Sequence, residues 1–121
     1  MKQHITLEQL KELSEDQFVK LYKLIRAKEV TDKRIAGFYD SIIIGGGFGY
    51  KKLLSEINIG KMIEILKHQK TFNDTFEIGY ECYSRDELDL FTLSNGVGYY
   101  NENISLCDLL WEAIVNEIQT R

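Results

Sequence analysis

A chain of 121 residues with 44% hydrophobic and 28% charged residues has the make-up of one folded domain, which speaks against a disordered chain. Its net charge of −4 and pI of 5.2 speak against a phosphate-binding surface, which needs clustered Lys and Arg. No apolar run approaches the roughly 20 residues that cross a bilayer. The amphipathic first thirteen residues also lack the apolar core of a signal peptide, so a cytoplasmic single domain over 1–121 is expected.

In chain order, Thr6-Leu7-Glu8-Gln9 reads as a capping box, with Ile5 and Leu10 as its hydrophobic staple. Ser14-Glu15-Asp16-Gln17 repeats the signal eight residues later. Two helices are therefore predicted, over about 7–13 and 15–28, with a bend at Ser14. Phe18, Leu21, Leu24 and Ile25 give the second its apolar face. Residues 31–39 carry no decisive pattern. The β-branched run Ile42-Ile43-Ile44 fits either a short buried strand or a helix end. Residues 50–55 suit a helix. Asn58 suits the cap of another through about Lys67, with Ile59, Met62, Ile63 and Leu66 buried.

The clearest β signal follows. Phe76, Ile78, Tyr80 and Cys82 alternate with Glu77, Gly79, Glu81 and Tyr83. A polar turn at 84–87 leads to a second strand over 88–93. Asn95-Gly96 marks a hairpin, because both residues tolerate positive φ, and a short third strand is predicted over 97–100. Ser105 then opens a last helix with Asp108 in its first turn, where a carboxylate suits the positive end of the dipole. The expected fold is α+β: a three-stranded antiparallel meander over about 75–100, packed against N-terminal helices and a C-terminal helix.

The candidate chemistry is sparse. Ile44-Gly45-Gly46-Gly47-Phe48-Gly49 resembles the opening of a dinucleotide-binding unit, in which glycines let a pyrophosphate approach a helix N-terminus. With Gly45 and Gly47 as the first two fingerprint glycines, however, Tyr50 fills the third position, where a ring hinders helix–strand packing. Nor is there a Gly-Lys-Ser/Thr, although Lys51 and Lys52 give the loop a positive end. Nucleotide binding or sequestration through Gly45, Gly46, Gly47, Gly49 and Lys51 is thus an alternative. A DNA-associated regulator reading through residues 7–28 is a second alternative, disfavoured by charge. His4 and His68 stand far apart, and Cys82 and Cys107 lack metal-ligand spacing, so two buried thiols are expected. No catalytic residue, metal site or cofactor is predicted, and an enzyme of unrecognised type is the least supported outcome.

Two features suit protein binding. Aromatic residues Phe38, Tyr39, Phe48 and Tyr50 surround the glycine run; such rings anchor interfaces or complete a core. An acidic set, Asp86, Glu87 and Asp89 with Glu77 and Glu81 on the neighbouring strand, can occupy a basic nucleic-acid groove or be a solvated face. The partner-binding candidates are therefore Tyr39, Phe48, Tyr50, Glu77, Glu81, Asp86, Glu87 and Asp89.

Three segments carry a resemblance. Ile5-Thr6-Leu7-Glu8-Gln9-Leu10 with Leu13-Ser14-Glu15-Asp16-Gln17 is one. Asn58-Ile59-Gly60-Lys61-Met62-Ile63-Glu64-Ile65-Leu66 is the second, and Leu106-Cys107-Asp108-Leu109-Leu110-Trp111-Glu112-Ala113-Ile114 the third. Together they resemble uncharacterised small phage and prophage accessory proteins of low-GC Gram-positive bacteria; residues 41–52 lie outside the resemblance. It implies a non-catalytic, protein-binding inhibitor of host defence, such as an anti-CRISPR-like inhibitor of a nuclease complex. That protein would act in the host cytoplasm without membrane contact or direct nucleic-acid binding; a homo-oligomer is left open.

Overall fold

The computed structural model describes residues 2–26, 30–45, 50–72, 75–83, 88–98 and 100–119, with side chains at all of these except 44, 45, 82, 83, 88, 89 and 100. The described elements are α1 (Leu7–Lys11), α2 (Glu15–Arg26), α3 (Asp32–Gly45), α4 (Tyr50–Glu56), α5 (Ile59–Lys67), β1 (Glu77–Tyr83), β2 (Leu88–Ser94), β3 (Tyr100–Asn103) and α6 (Leu106–Gln119). The fold is α+β.

Local side-chain chemistry sets the helix starts. Thr6 Oγ1 accepts from the Gln9 amide at 3.2 Å while Gln9 Oε1 accepts from the Thr6 amide at 3.0 Å. Ser14 and Gln17 repeat the exchange at 3.3 and 2.9 Å. Asn58 Oδ1 accepts from the Lys61 amide at 2.8 Å, and Ser105 Oγ from the Asp108 amide at 3.3 Å. Each satisfies an amide that the first helical turn leaves without a partner. The chain before α1 returns to the start of α5, where the Ile59 amide donates to Gln3 O at 3.0 Å.

One cluster of buried side chains joins these elements. It includes Ile5, Leu10, Phe18, Leu21, Ile42, Leu53, Met62, Leu66, Phe72, Leu93 and the broad face Leu109, Leu110, Ala113, Ile114 and Ile118 of α6. Burial of side chains this size stabilises by about 2 kcal/mol each before entropy is counted. Phe18, Tyr22, Phe38 and Tyr39 form a ring cluster between α2 and α3, with centroids 5.3–6.2 Å apart. At the far end of α2, Arg26 pairs with Glu56 of α4 through two contacts, 3.0 and 3.2 Å.

Two sequence expectations are refined. Residues 42–44 end the helix α3 and do not form a strand, and the core member Ile42 is 1% exposed. The third strand begins at Tyr100 and not at Val97. The reason is Asn95, whose Oδ1 accepts from the Val97 and Gly98 amides, both at 2.9 Å. Those amides close a local turn and are withheld from the ladder. Gly96 takes the positive φ of 77° that this turn requires, and Val97 is 87% exposed.

Candidate functional site

The sheet has the order β1-β2-β3, all antiparallel, so β1 and β3 are its outer strands. Helix α6 packs on β2 and β3, whereas the main neighbour of β1 is β2. The register divides the side chains into two faces. Ile78 pairs with Leu93 and Tyr80 with Phe91, while Leu93 and Phe91 pair in turn with Asn101 and Asn103 of β3. This face meets α6: Leu93 is fully buried, and Asn101 and Asn103 donate to the two carboxylate oxygens of Glu112 at 3.2 and 3.1 Å. On β1 the same face is more open. Ile78 is 37% and Tyr80 56% exposed, and the Tyr80 ring lies 5.1 Å from that of Phe91.

The opposite face carries Glu77, Gly79 and Glu81 of β1, the half-buried Leu90 with Thr92 and Ser94 of β2, and Glu102 of β3. The three carboxylate residues are exposed. Strand rise and spacing put their Cα atoms roughly 12 Å from one another. That separation is too wide for them to hold one metal ion or share one proton, and exceeds the roughly 8 Å screening length of physiological salt. The three carboxylates thus act as separate charges. At the centre of the face the Thr92 hydroxyl lies against Gly79 and leaves no room for a Cβ there.

The other predicted positions scatter. Tyr39 packs on Phe18 and donates its hydroxyl to Leu13 O at 2.8 Å, and Tyr50 opens α4 half-buried against the core. Both rings thereby serve the fold. Asp89 pairs with Cys82, out of phase with Glu77 and Glu81; its side chain, like that of Cys82, is not among those described. Asp86, Glu87, Phe48, Gly46, Gly47 and Gly49 lie outside the described residues. Gly45 ends α3 and exposed Lys51 lies in α4, so the strand that a dinucleotide-binding unit places before its glycines is a helix here. In the region proposed to read DNA, Glu8, Glu12, Glu15 and Asp16 are exposed, which opposes a phosphate backbone.

His4 and His68 are not brought together: His4 Nδ1 donates to Ile5 O at 2.8 Å, while His68 caps the end of α5. Cys107 is free and fully buried, and burial pushes its thiol up. Among the described residues no group of three or more His, Cys, Asp or Glu is placed to hold a metal, and no helix is long and apolar enough to cross a membrane. A groove of 540 Å³ runs beside α5, lined by Gly60, Ile63, Glu64, Lys67, His68 and Phe76. Its mixture of carboxylate, ammonium and imidazole selects no ligand charge. Among the described residues the indole Nε1 of Trp111 is a buried side-chain donor without a partner.

Sequence reasoning missed Glu102 and the exposure of Ile78 and Tyr80. The alternation Asn101-Glu102-Asn103 was a usable signal, but a third strand ending at residue 100 leaves it out. No family model, curated protein or solved structure matches the chain.

Proposed function

We propose that this chain is a non-catalytic binding protein that presents the carboxylate face of its sheet to a basic surface of a partner protein. The observation that carries this reading is the placement of Glu77, Glu81 and Glu102 on one exposed face, spaced for separate cationic contacts. The resemblance to phage accessory proteins supplies the partner class. A host defence nuclease complex holds nucleic acid in a basic groove, and an acidic protein surface of this kind competes for it. On this reading the protein acts in the cytoplasm of the infected cell.

The test is retention of host proteins from a low-GC Gram-positive lysate by the immobilised chain and by a Glu77→Lys/Glu81→Lys/Glu102→Lys variant. Wild type is expected to retain a nuclease-complex component that heparin elutes, and the variant to lose it. Equal retention by the two proteins overturns the reading. All three positions are exposed, so the variant should keep its fold, which circular dichroism checks.

A further inference from the structure

The two faces of β1 differ, and the difference specifies a ligand. Glu77 and Glu81 lie on one side of the strand, and the exposed Ile78 and Tyr80 on the other. β1 is also an outer strand, seven residues long, with β2 as its strand neighbour among the described residues. An outer strand offers backbone amides and carbonyls to any extended segment laid alongside it. Side chains of an added strand alternate as those of β1 do.

We infer that β1 accepts an extended basic segment of a partner as a fourth strand of the sheet. This rests on the reading of the sheet as a protein-binding surface and names how the partner is held. The segment alternates Lys or Arg with apolar residues. Its cations fall beside Glu77 and Glu81, and its apolar side chains beside the exposed Ile78 and Tyr80.

The other obvious occupant is a second copy, and charge decides against it. A two-fold continuation of the sheet centred on Gly79 sets Glu77 opposite the second copy's Glu81. Centred on Tyr80, it sets the two Glu81 residues on a diagonal, roughly 7–8 Å apart. Like charges so placed oppose pairing, and each copy carries a net charge of −4. A basic strand turns the same positions into attractions.

The experiment uses a short synthetic peptide of alternating Lys and Val, a block isomer of the same composition, and an alternating peptide N-methylated at every second residue. Binding to the full chain is measured together with hydrogen exchange at the amides of residues 77–83. The alternating peptide is expected to bind and to slow exchange in β1. N-methylation should weaken it about tenfold by removing main-chain donors. Glu77→Lys should weaken it about fivefold, and Tyr80→Ser, at a position 56% exposed, should lower affinity while circular dichroism shows the fold retained. If both peptides bind alike and β1 exchange is unchanged, the carboxylate face binds cations but strand addition is wrong. If neither peptide binds, both readings fall. Protection of β1 without peptide, accompanied by a dimer in sedimentation, makes the second copy the occupant and overturns the inference.

Discussion

Gln9 shows how one side chain serves two scales of structure. It closes the capping box on α1, and its Nε2 also donates to Asp108 Oδ1 at 2.9 Å, across 99 residues of sequence. Lys2 Nζ completes the cluster, 2.6 Å from Asp108 and 2.8 Å from Gln9 Oε1. Burial alone would raise the Asp108 carboxyl; Lys2, Gln9 and Ser105 outweigh it and hold the group below its ordinary 3.8. A carboxylate depressed on folding stabilises above its unfolded value, and that stability is lost as pH falls through the folded one. Asp108→Asn is therefore expected to cost about 1 kcal/mol at neutral pH, a modest figure because the Lys2 and Asp108 side chains are about one-third exposed. The difference from wild type should close as pH falls below 3.8. Urea unfolding of both proteins across pH checks this, and a difference that persists in acid would assign the effect to helix capping. The capping box was legible because its partners lie three residues apart. Nothing local in the sequence marks Asp108 as its third member.

At the scale of elements, the same division holds between local and distant causes. Thr6, Ser14, Asn58 and Ser105 announced four helices because a cap and its amide lie within one turn. The helix α3 carried a weaker message. Its β-branched end, Ile42-Ile43-Ile44, suits a strand by propensity, and packing of Ile42 into the core beside Ile35 of the same helix favours the helix. The late start of β3 has a local cause that a dipeptide rule overlooks. Asn95 holds the turn with Oδ1 and donates Nδ2 to Thr71 O at 2.9 Å, so it ties the turn to the segment after α5. Asn95→Ala removes these bonds and is expected to cost about 2 kcal/mol. Asn95→Asp keeps the acceptor and loses the donor, so it should cost less than half as much. Thermal unfolding of the two variants separates these contributions. Equal losses would show that the tie to Thr71, and not the turn itself, positions β3.

For the molecule as a whole, composition gave the charge but not where the charge matters. Alternation in residues 76–83 identified Glu77 and Glu81 as neighbours on one face, yet it could not show that Ile78 and Tyr80 stay exposed while Leu93 beside them is buried; that depends on how α6, far along the chain, packs on β2 and β3. The consequence is an outer strand with an apolar strip on one side, a composition that promotes edge-to-edge association. At neutral pH the net charge of −4 opposes it. Net charge vanishes at the pI of 5.2, where mutual repulsion between copies is weakest. Self-association is therefore expected to rise as pH is lowered toward 5.2. If it runs through β1, Ile78→Thr/Tyr80→Ser should suppress it, because the substitutions remove the apolar strip without altering any carboxylate or the pI. The mutated side chains are not core members, so stability should change by less than about 1 kcal/mol. Light scattering of both proteins across this pH range makes the comparison. Equal scattering at 5.2 would locate the association on another surface, since a loss of repulsion alone does not discriminate between sites. Scattering confined to the wild type places it on the strand whose carboxylates otherwise hold copies apart.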